Sequence, residues 1–322
     1  MNSLRSFWDA FGAFVDALGS VSPIPLAIGL ALHLLGMTLR GLAWRNIIAA
    51  ALPGRQVDAK VVLGGLFAGI GLNGIVPARG GDVLKLFLIH TRVPGSTYPM
   101  LISSLVPETT FNAVMAVLLL LWAWQLGVLP SAPELPGISA FELSWAARYP
   151  EATGILIILV IAALAALAII HRPRLARFWS DVADGFRIFR DPPRYLRTVV
   201  TFQAGAWTAR VVSAWFFLDA FGIDASVRNA LIVVMVQGIS STLPFTPGGL
   251  GPKQALLVVL FSGDAARSTV LAFSVGMEVT IVAFQFVVGL IAAAIMLRGF
   301  HIREALAEAR RQRAAAEGQA GP

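Results

Sequence analysis

Gly71-Leu72-Asn73-Gly74-Ile75-Val76-Pro77-Ala78-Arg79-Gly80-Gly81-Asp82 interrupts an apolar run long enough to approach a membrane crossing. A second stretch does the same: Gln237-Gly238-Ile239-Ser240-Ser241-Thr242-Leu243-Pro244-Phe245-Thr246-Pro247-Gly248-Gly249-Leu250-Gly251. Each ends an apolar segment with small polar residues, then proline, then paired glycines. Proline removes a backbone donor, and glycine permits turns that other residues resist. In hydrocarbon, backbone groups freed in this way cost several kcal/mol each unless protein or water satisfies them. Helices broken at matching places in two halves of a chain point to the binding site of a transporter.

Composition sets the class. Of 322 residues, 57% are hydrophobic and 13% charged, and mean hydropathy is +0.75. Soluble domains carry about 25% charge. The chain therefore reads as an integral membrane protein, all-α, a polytopic helical bundle. Residues outside the apolar runs are too few for a separate soluble catalytic domain. The absence of cysteine excludes disulfides, thiolate metal sites and cysteine nucleophiles. The four histidines (His33, His90, His171, His301) show no ligand spacing, and no metal site is expected. A net charge of +7 lies mostly in arginines beside apolar spans, which retention at the cytoplasmic side explains better than nucleic acid does.

Five long spans are expected, at 22–42, 99–127, 152–171, 198–220 and 268–297, with interrupted segments at 61–90 and 229–262. Arg172, Arg174, Arg177, Arg187, Arg190, Arg194 and Arg197 make the 172–197 loop cytoplasmic. Arg40, Arg45, Arg55 and Lys60 do the same for 40–60, as do five arginines after Leu297. Residues 128–151, with Glu134, Glu142 and Glu151 against one arginine, should face outward. Threading the spans through these loops makes both interrupted segments re-entrant hairpins that enter from opposite faces, an inverted repeat. Glu108 follows Pro77 by 31 residues and Glu278 follows Pro244 by 34, a second internal echo. Residues 1–21 sketch an interfacial amphipathic helix through Phe7, Trp8, Phe11 and Phe14. Residues 22–298 form the transmembrane domain, residues 174–197 a surface helix on the anionic leaflet, and 299–322 a cytoplasmic polar tail.

Charges inside a bilayer are costly and mark function by default. Glu108, Arg210 and Glu278 lie within spans. They either line a polar cavity or pair with one another, and an Arg210–Glu pair is one option. Arg210 suits a phosphate, since guanidinium offers a bidentate fork. Asn73, Ser241 and Thr246 sit at the hairpin tips. The amides near Gly81, Gly248 and Gly249 can form an anion-binding concavity. Arg79 and Lys85 either attract phosphate or form an ordinary basic flank, with Asp82 as a helix N-cap. Lys253 is equally ambiguous. No nucleotide loop, metal cluster or nucleophile elbow is present, so no catalytic residue and no cofactor are expected.

The motif Asn73-x-x-x-Pro77-x-Arg79-x-Gly81-Asp82-x-x-Lys85 resembles an Asn, Pro, Arg-x-Gly-Glu-x-x-Arg pattern in the transmembrane domain of lysylphosphatidylglycerol synthases and their stand-alone relatives. Pro244-x-Thr246-Pro247-Gly248-Gly249-Leu250-Gly251 resembles that family's second signature. The resemblance covers about residues 22–298. It implies an all-helical inner-membrane protein that translocates a lipid or lipid-linked molecule between leaflets, without lysyl transfer. By position it flags Asn73, Pro77, Arg79, Gly81, Asp82, Lys85, Glu108, Pro244, Pro247, Gly248, Gly249 and Gly251. Thr109, Asn112, Gln254 and Glu278 depart from the family's usual residues. The partners expected are membrane lipids with anionic or zwitterionic headgroups, and a homo-oligomer or a membrane-bound enzyme stays open. A secondary transporter of a small solute or ion, or a non-transporting partner of a lipid- or glycan-modifying enzyme, are the rival readings.

Overall fold

The computed structural model describes residues 19–74, 80–125, 172–241, 252–261, 263 and 265–297. The expected interfacial helix (apart from residues 19–21), the 128–151 loop, the 152–171 span and the polar tail lie outside these residues. So do Pro77, Arg79, Pro244, Thr246, Pro247, Gly248, Gly249 and Gly251. Every regular element among the described residues is helical.

Helix α1 spans Pro23–Ala51, with proline in the first turn, where its missing donor costs nothing. It runs past the expected end at residue 42. Arg40 and Arg45 do not end it, because both turn inward. Arg40 meets Glu108, and Arg45 donates to the Val57 carbonyl at 2.8 Å. Helix α2 (Ala59–Asn73) is capped by Asp58, which accepts from the Lys60 amide at 2.9 Å. Helix α3 (Gly80–Arg92) follows the first interruption. The expected 99–127 span is split into α4 (Tyr98–Ser103) and α5 (Leu105–Gln125). Pro107 supplies no amide hydrogen to continue the ladder across that junction.

The expected surface helix over 174–197 is also segmented. Helix α6 (Arg172–Gly185) gives way to a 3-10 turn (Arg187–Arg190), then the short α7 (Pro192–Tyr195) and a π turn (Leu196–Val200). Gly185 makes the first corner: a methyl there would strike Ser103 Oγ and approach the Met100 carbonyl to 2.7 Å. Pro192 and Pro193 enforce the second. Helix α8 (Thr201–Ala220), α9 (Val227–Ser241), α10 (Pro252–Leu260) and α11 (Arg267–Leu297) complete the described elements. By length and composition, Pro23–Ala51, Tyr98–Trp122 and Arg267–Leu297 are able to cross a membrane. Helix α8 is not among them, since Gln203, Arg210 and Asp219 dilute its apolar character.

Packing fixes the directions. Helices α1 and α8 are antiparallel. The Ser22 amide donates to Ala220 O at 2.9 Å, Ser213 Oγ donates to Gly29 O at 2.7 Å, and Asn46 Nδ2 donates to Thr198 O at 2.8 Å. Helices α2 and α11 are antiparallel through Gly71 and Gly289, where a Cβ on either would lie 2.6–2.7 Å from the other's Cα. Helices α2 and α3 fold back on each other with Gly65 against Ile89 and Gly69 against Gly81. One end of the bundle therefore gathers the C-termini of α1, α3 and α11, the N-terminus of α2, and the arginine-rich α6–α7 segment. Arg92 ties this end together by donating to the Met296 carbonyl. The opposite end holds Ser22, Ala220 and the starts of α9 and α11.

The first helical hairpin, α2–α3, opens toward the arginine-rich end. The second, α9–α10, opens toward the other, since Lys253 at the start of α10 pairs with Glu278 halfway along α11. Apolar packing follows the same division. One buried cluster, with Ala43, Trp44, Ile47, Ile48, Ile89, Leu101 and Ile188, lies at the arginine-rich end. Another, with Phe217, Leu218, Val233, Leu257, Phe261 and Phe273, lies at the far end. The outer faces of α5 and α11 stay apolar and exposed, as at Val117, Leu118, Leu290 and Ile295. Such surface suits lipid contact.

Gly81 tolerates no side chain. A methyl there would collide with the Gly69 carbonyl and lie 2.7 Å from Asn73 Oδ1. Gly81→Ala should destabilise the protein by about 1–3 kcal/mol, the usual cost of overpacking. Gly19→Ala, where a methyl meets no atom of the described residues within 4 Å, should be nearly silent. Thermal aggregation in detergent compares the two, and equal behaviour would show that the α2–α3 contact is not tight.

Candidate functional site

Between the two apolar clusters lies a belt of polar side chains at mid-bundle. Its best-organised part surrounds Glu108, in the first turn of α5, where the helix N-terminus favours a carboxylate. Glu108 is 3% exposed. Arg40 Nε donates to its Oε1, and Arg40 Nη2 reaches Oε2 at 3.3 Å. Gln203 Nε2 donates to the same residue's carbonyl at 3.2 Å and to Oε1 at 3.3 Å. Tyr195 Oη donates to the neighbouring Pro107 carbonyl at 3.1 Å. Burial, and then the Glu108 charge, hold this phenol above its ordinary pKa, so it stays a donor.

Lys85 stands next to this pair. Its ammonium is 5.1 Å from the Trp44 ring centre and donates to Asp82 Oδ1 at 3.1 Å. Trp44 is fixed by its Nε1 donating to Ser104 Oγ at 2.9 Å. Arg40, Trp44, Leu66, Lys85, Leu105 and Glu108 enclose a crevice of about 10 Å³, about enough for one water. Asp82 is not the expected N-cap. It lies within the first turn of α3, and its carboxylate accepts from Lys85 and from Asn73 Nδ2 at 3.3 Å. Asn73, at the end of α2, keeps its buried Oδ1 without a partner among the described residues. An orphaned acceptor at a hairpin tip is a place for a ligand's donor.

Arg210 pairs with no glutamate among the described residues. Its Nη2 donates to Gln237 Oε1 at 3.2 Å, and its guanidinium lies 5.5 Å from the Trp207 ring centre. Trp207 Nε1 donates to Asn112 Oδ1 at 2.8 Å, which joins α8 to α5. Glu278 is neutralised by Lys253, which settles that lysine's ambiguity in favour of an inward pair. His33 and Gln285 face each other at 2.9 Å between α1 and α11. The structure thus brings Asn73, Gly81, Asp82, Lys85 and Glu108 together around the first hairpin. Arg210 and Glu278 serve the second. Ser241 ends α9.

Arg40 is the residue that sequence reasoning missed. In the sequence it reads as a flanking loop arginine, although His33, Arg40 and Trp44 fall on neighbouring faces of one helix. The signal is Glu108 itself, since a carboxylate in an apolar run needs a cation opposite.

A sequence profile described as the lysylphosphatidylglycerol synthase TM region matches residues 5–289. The chain belongs to the lysylphosphatidylglycerol synthase transmembrane family. It is a multi-pass membrane protein. Two curated relatives are similar to it. A UPF0104 membrane protein of Methanothermobacter thermautotrophicus is 25% identical over 325 residues, covering 90% of this chain and 88% of that protein. Glycosyltransferase AglD of Haloferax volcanii is 26% identical over 287 residues, covering 78% of this chain but 45% of AglD. This family member therefore spans less than half the length of AglD. No solved structure matches it.

Removing one partner of a buried ion pair leaves an uncompensated charge and costs about 3–5 kcal/mol. Arg40 is half exposed, so Arg40→Gln should fall at the low end of that range. Arg40→Gln combined with Glu108→Gln should recover most of the loss. A double-mutant cycle on thermal stability in detergent measures this. Additive losses would show that the two side chains are not coupled.

Proposed function

We propose that this protein moves a phosphate-bearing lipid or lipid-linked molecule between membrane leaflets. What supports the reading is that two helix pairs, α2–α3 and α9–α10, meet at one polar level between two apolar cores. A headgroup crossing hydrocarbon must shed water at high cost. A lateral path past Arg40, Lys85, Arg210 and the hairpin tips replaces that water while acyl chains stay in lipid. In this reading both hairpins are re-entrant and form an inverted repeat. Arg210 and the amides at Gly81, Gly248 and Gly249 take the phosphate, together with Arg79. Asn73, Ser241 and Thr246 bond the remaining polar atoms. Pro77 and Pro247 hold the breaks open. Glu108, released from Arg40, takes a cationic group or a proton, and Glu278 plays the matching part with Lys253. AglD is named a glycosyltransferase, which puts lipid-linked glycans among the substrate classes worth testing.

The arginine-rich end is cytoplasmic in this reading, and the membrane is the inner one. Arg55→Cys and Arg228→Cys place single thiols at opposite ends of a chain that has none. A membrane-impermeant maleimide should label Arg228→Cys in intact cells and Arg55→Cys after permeabilisation. The reverse pattern would invert the orientation.

The transport test is headgroup accessibility of labelled phospholipids in proteoliposomes. Wild type should exceed protein-free vesicles. Arg210→Ala and Glu108→Gln should each slow exchange by about tenfold, equivalent to about 1.4 kcal/mol in the barrier. Equal rates with and without protein, across several lipid classes, would remove the reading. The water-sized crevice at Glu108 favours one rival, transport of a small ion or solute. Ion-dependent uptake without lipid exchange would establish that instead.

A further inference from the structure

A second basic pocket lies away from the mid-bundle belt, at the arginine-rich end. It measures about 330 Å³ and is floored by Ala50, Pro53 and Ile188. Its polar wall is Arg187, Arg190, Arg194 and Asp191. Local geometry explains the clustering. Residues three apart on a 3-10 turn eclipse one another, so Arg187 and Arg190 project from one side of the turn. Ile188, 1% exposed, pins the turn to the α1 end of the core. Asp191 accepts from the Arg194 amide at 3.1 Å, which starts α7 and swings Arg194 to the same side.

Among the described residues the charges are not balanced within the pocket: three guanidiniums face one carboxylate. Arg187 has a second acidic neighbour, Asp184, at 3.8 Å, longer than a hydrogen bond. Like charges gathered on a rigid turn are relieved by an anion with several acceptor oxygens. Phosphate esters match the guanidinium fork. The volume is at the low end for ligand sites, enough for a headgroup and not for a whole lipid. Leu175, Phe178, Trp179, Phe189 and Leu196 are exposed on the same segment and give acyl chains a surface beside it.

We propose that this pocket binds an anionic phosphate ester through Arg187, Arg190 and Arg194. The site stands independently of translocation by the mid-bundle belt. Its ligand is the headgroup of a lipid at the membrane surface or a soluble phosphate, and the two sources separate experimentally.

The test uses the full chain in neutral detergent, stripped of lipid, at about 100 mM salt to screen diffuse charge. The probes are dihexanoyl phosphatidylglycerol, dihexanoylglycerol and inorganic phosphate, each titrated by calorimetry. The wild type should bind the phospholipid and not the phosphate-free diglyceride. The triple variant Arg187→Gln, Arg190→Gln, Arg194→Gln should lose about tenfold or more in affinity. Arg190→Lys keeps the charge, loses the fork, and should weaken binding several-fold. Arg177→Gln and Arg197→Gln alter the same segment outside the pocket and should match wild type. Tighter binding of phospholipid than of inorganic phosphate assigns a lipid source, and equal binding assigns a soluble one. An undiminished triple variant, an equal loss in the Arg177 or Arg197 controls, or no binding by wild type would each overturn the site. Lipid exchange measured on the same variants reports the belt separately, so failure of one reading leaves the other intact.

Discussion

A carboxylate that is 3% exposed in so apolar a bundle must be neutralised, and Glu108 is neutralised by Arg40. Much of the architecture is keyed to that pair. It requires α1 to remain helical beyond the apolar stretch that a span needs. It requires α5 to restart where Pro107 breaks the ladder, so that the carboxylate sits at a helix N-terminus. Gln203 bonds the same glutamate and sets the register of α8 against both. Three helices are thereby locked to one another at this level. The buried ion pair specifies register here, a use that such pairs serve better than raw stability.

The hairpins obey a second constraint. Their backbones approach too closely for side chains at Gly69 and Gly81, and again at Gly71 and Gly289. Small residues are the general means by which membrane helices approach when no hydrophobic effect drives them together. Close approach delivers the tip of the first hairpin to the middle of α11, and the Lys253–Glu278 pair delivers the second to the same level. The apolar packing on either side leaves that level as the place where polar groups accumulate. It includes an acceptor with no partner among the described residues, on Asn73. A polar level between two apolar cores is the physical basis for the proposed passage of a headgroup.

Much of this was legible in residue order. The helical class, the long helices near 22–42, 99–127 and 268–297, and the family motifs all follow from local signals. Hydropathy, proline and glycine act within a few residues of themselves. Glu108, Arg210 and Glu278 were recognisable because a charge in an apolar run is conspicuous wherever the run folds. Partners were not legible. Arg40 looked like a flanking charge because the sequence does not show which arginines turn inward. Arg210 looked like a match for a glutamate, yet it found Gln237 across α9. Asp82 looked like a cap and instead gathers Asn73 and Lys85. Each partner comes from a different helix or from across a turn, and only packing brings them within reach.

Residue order alone therefore determined that the chain is a membrane helical protein of this family, with two breaks marked by proline and glycine. Those properties arise from backbone chemistry and transfer to lipid, which act position by position. The tertiary structure decided which charge neutralises which, and that Arg187 and Arg190 on one turn and Arg194 on the next line a single pocket. Those outcomes depend on distances between segments far apart in the chain, and such distances exist only once the helices have packed.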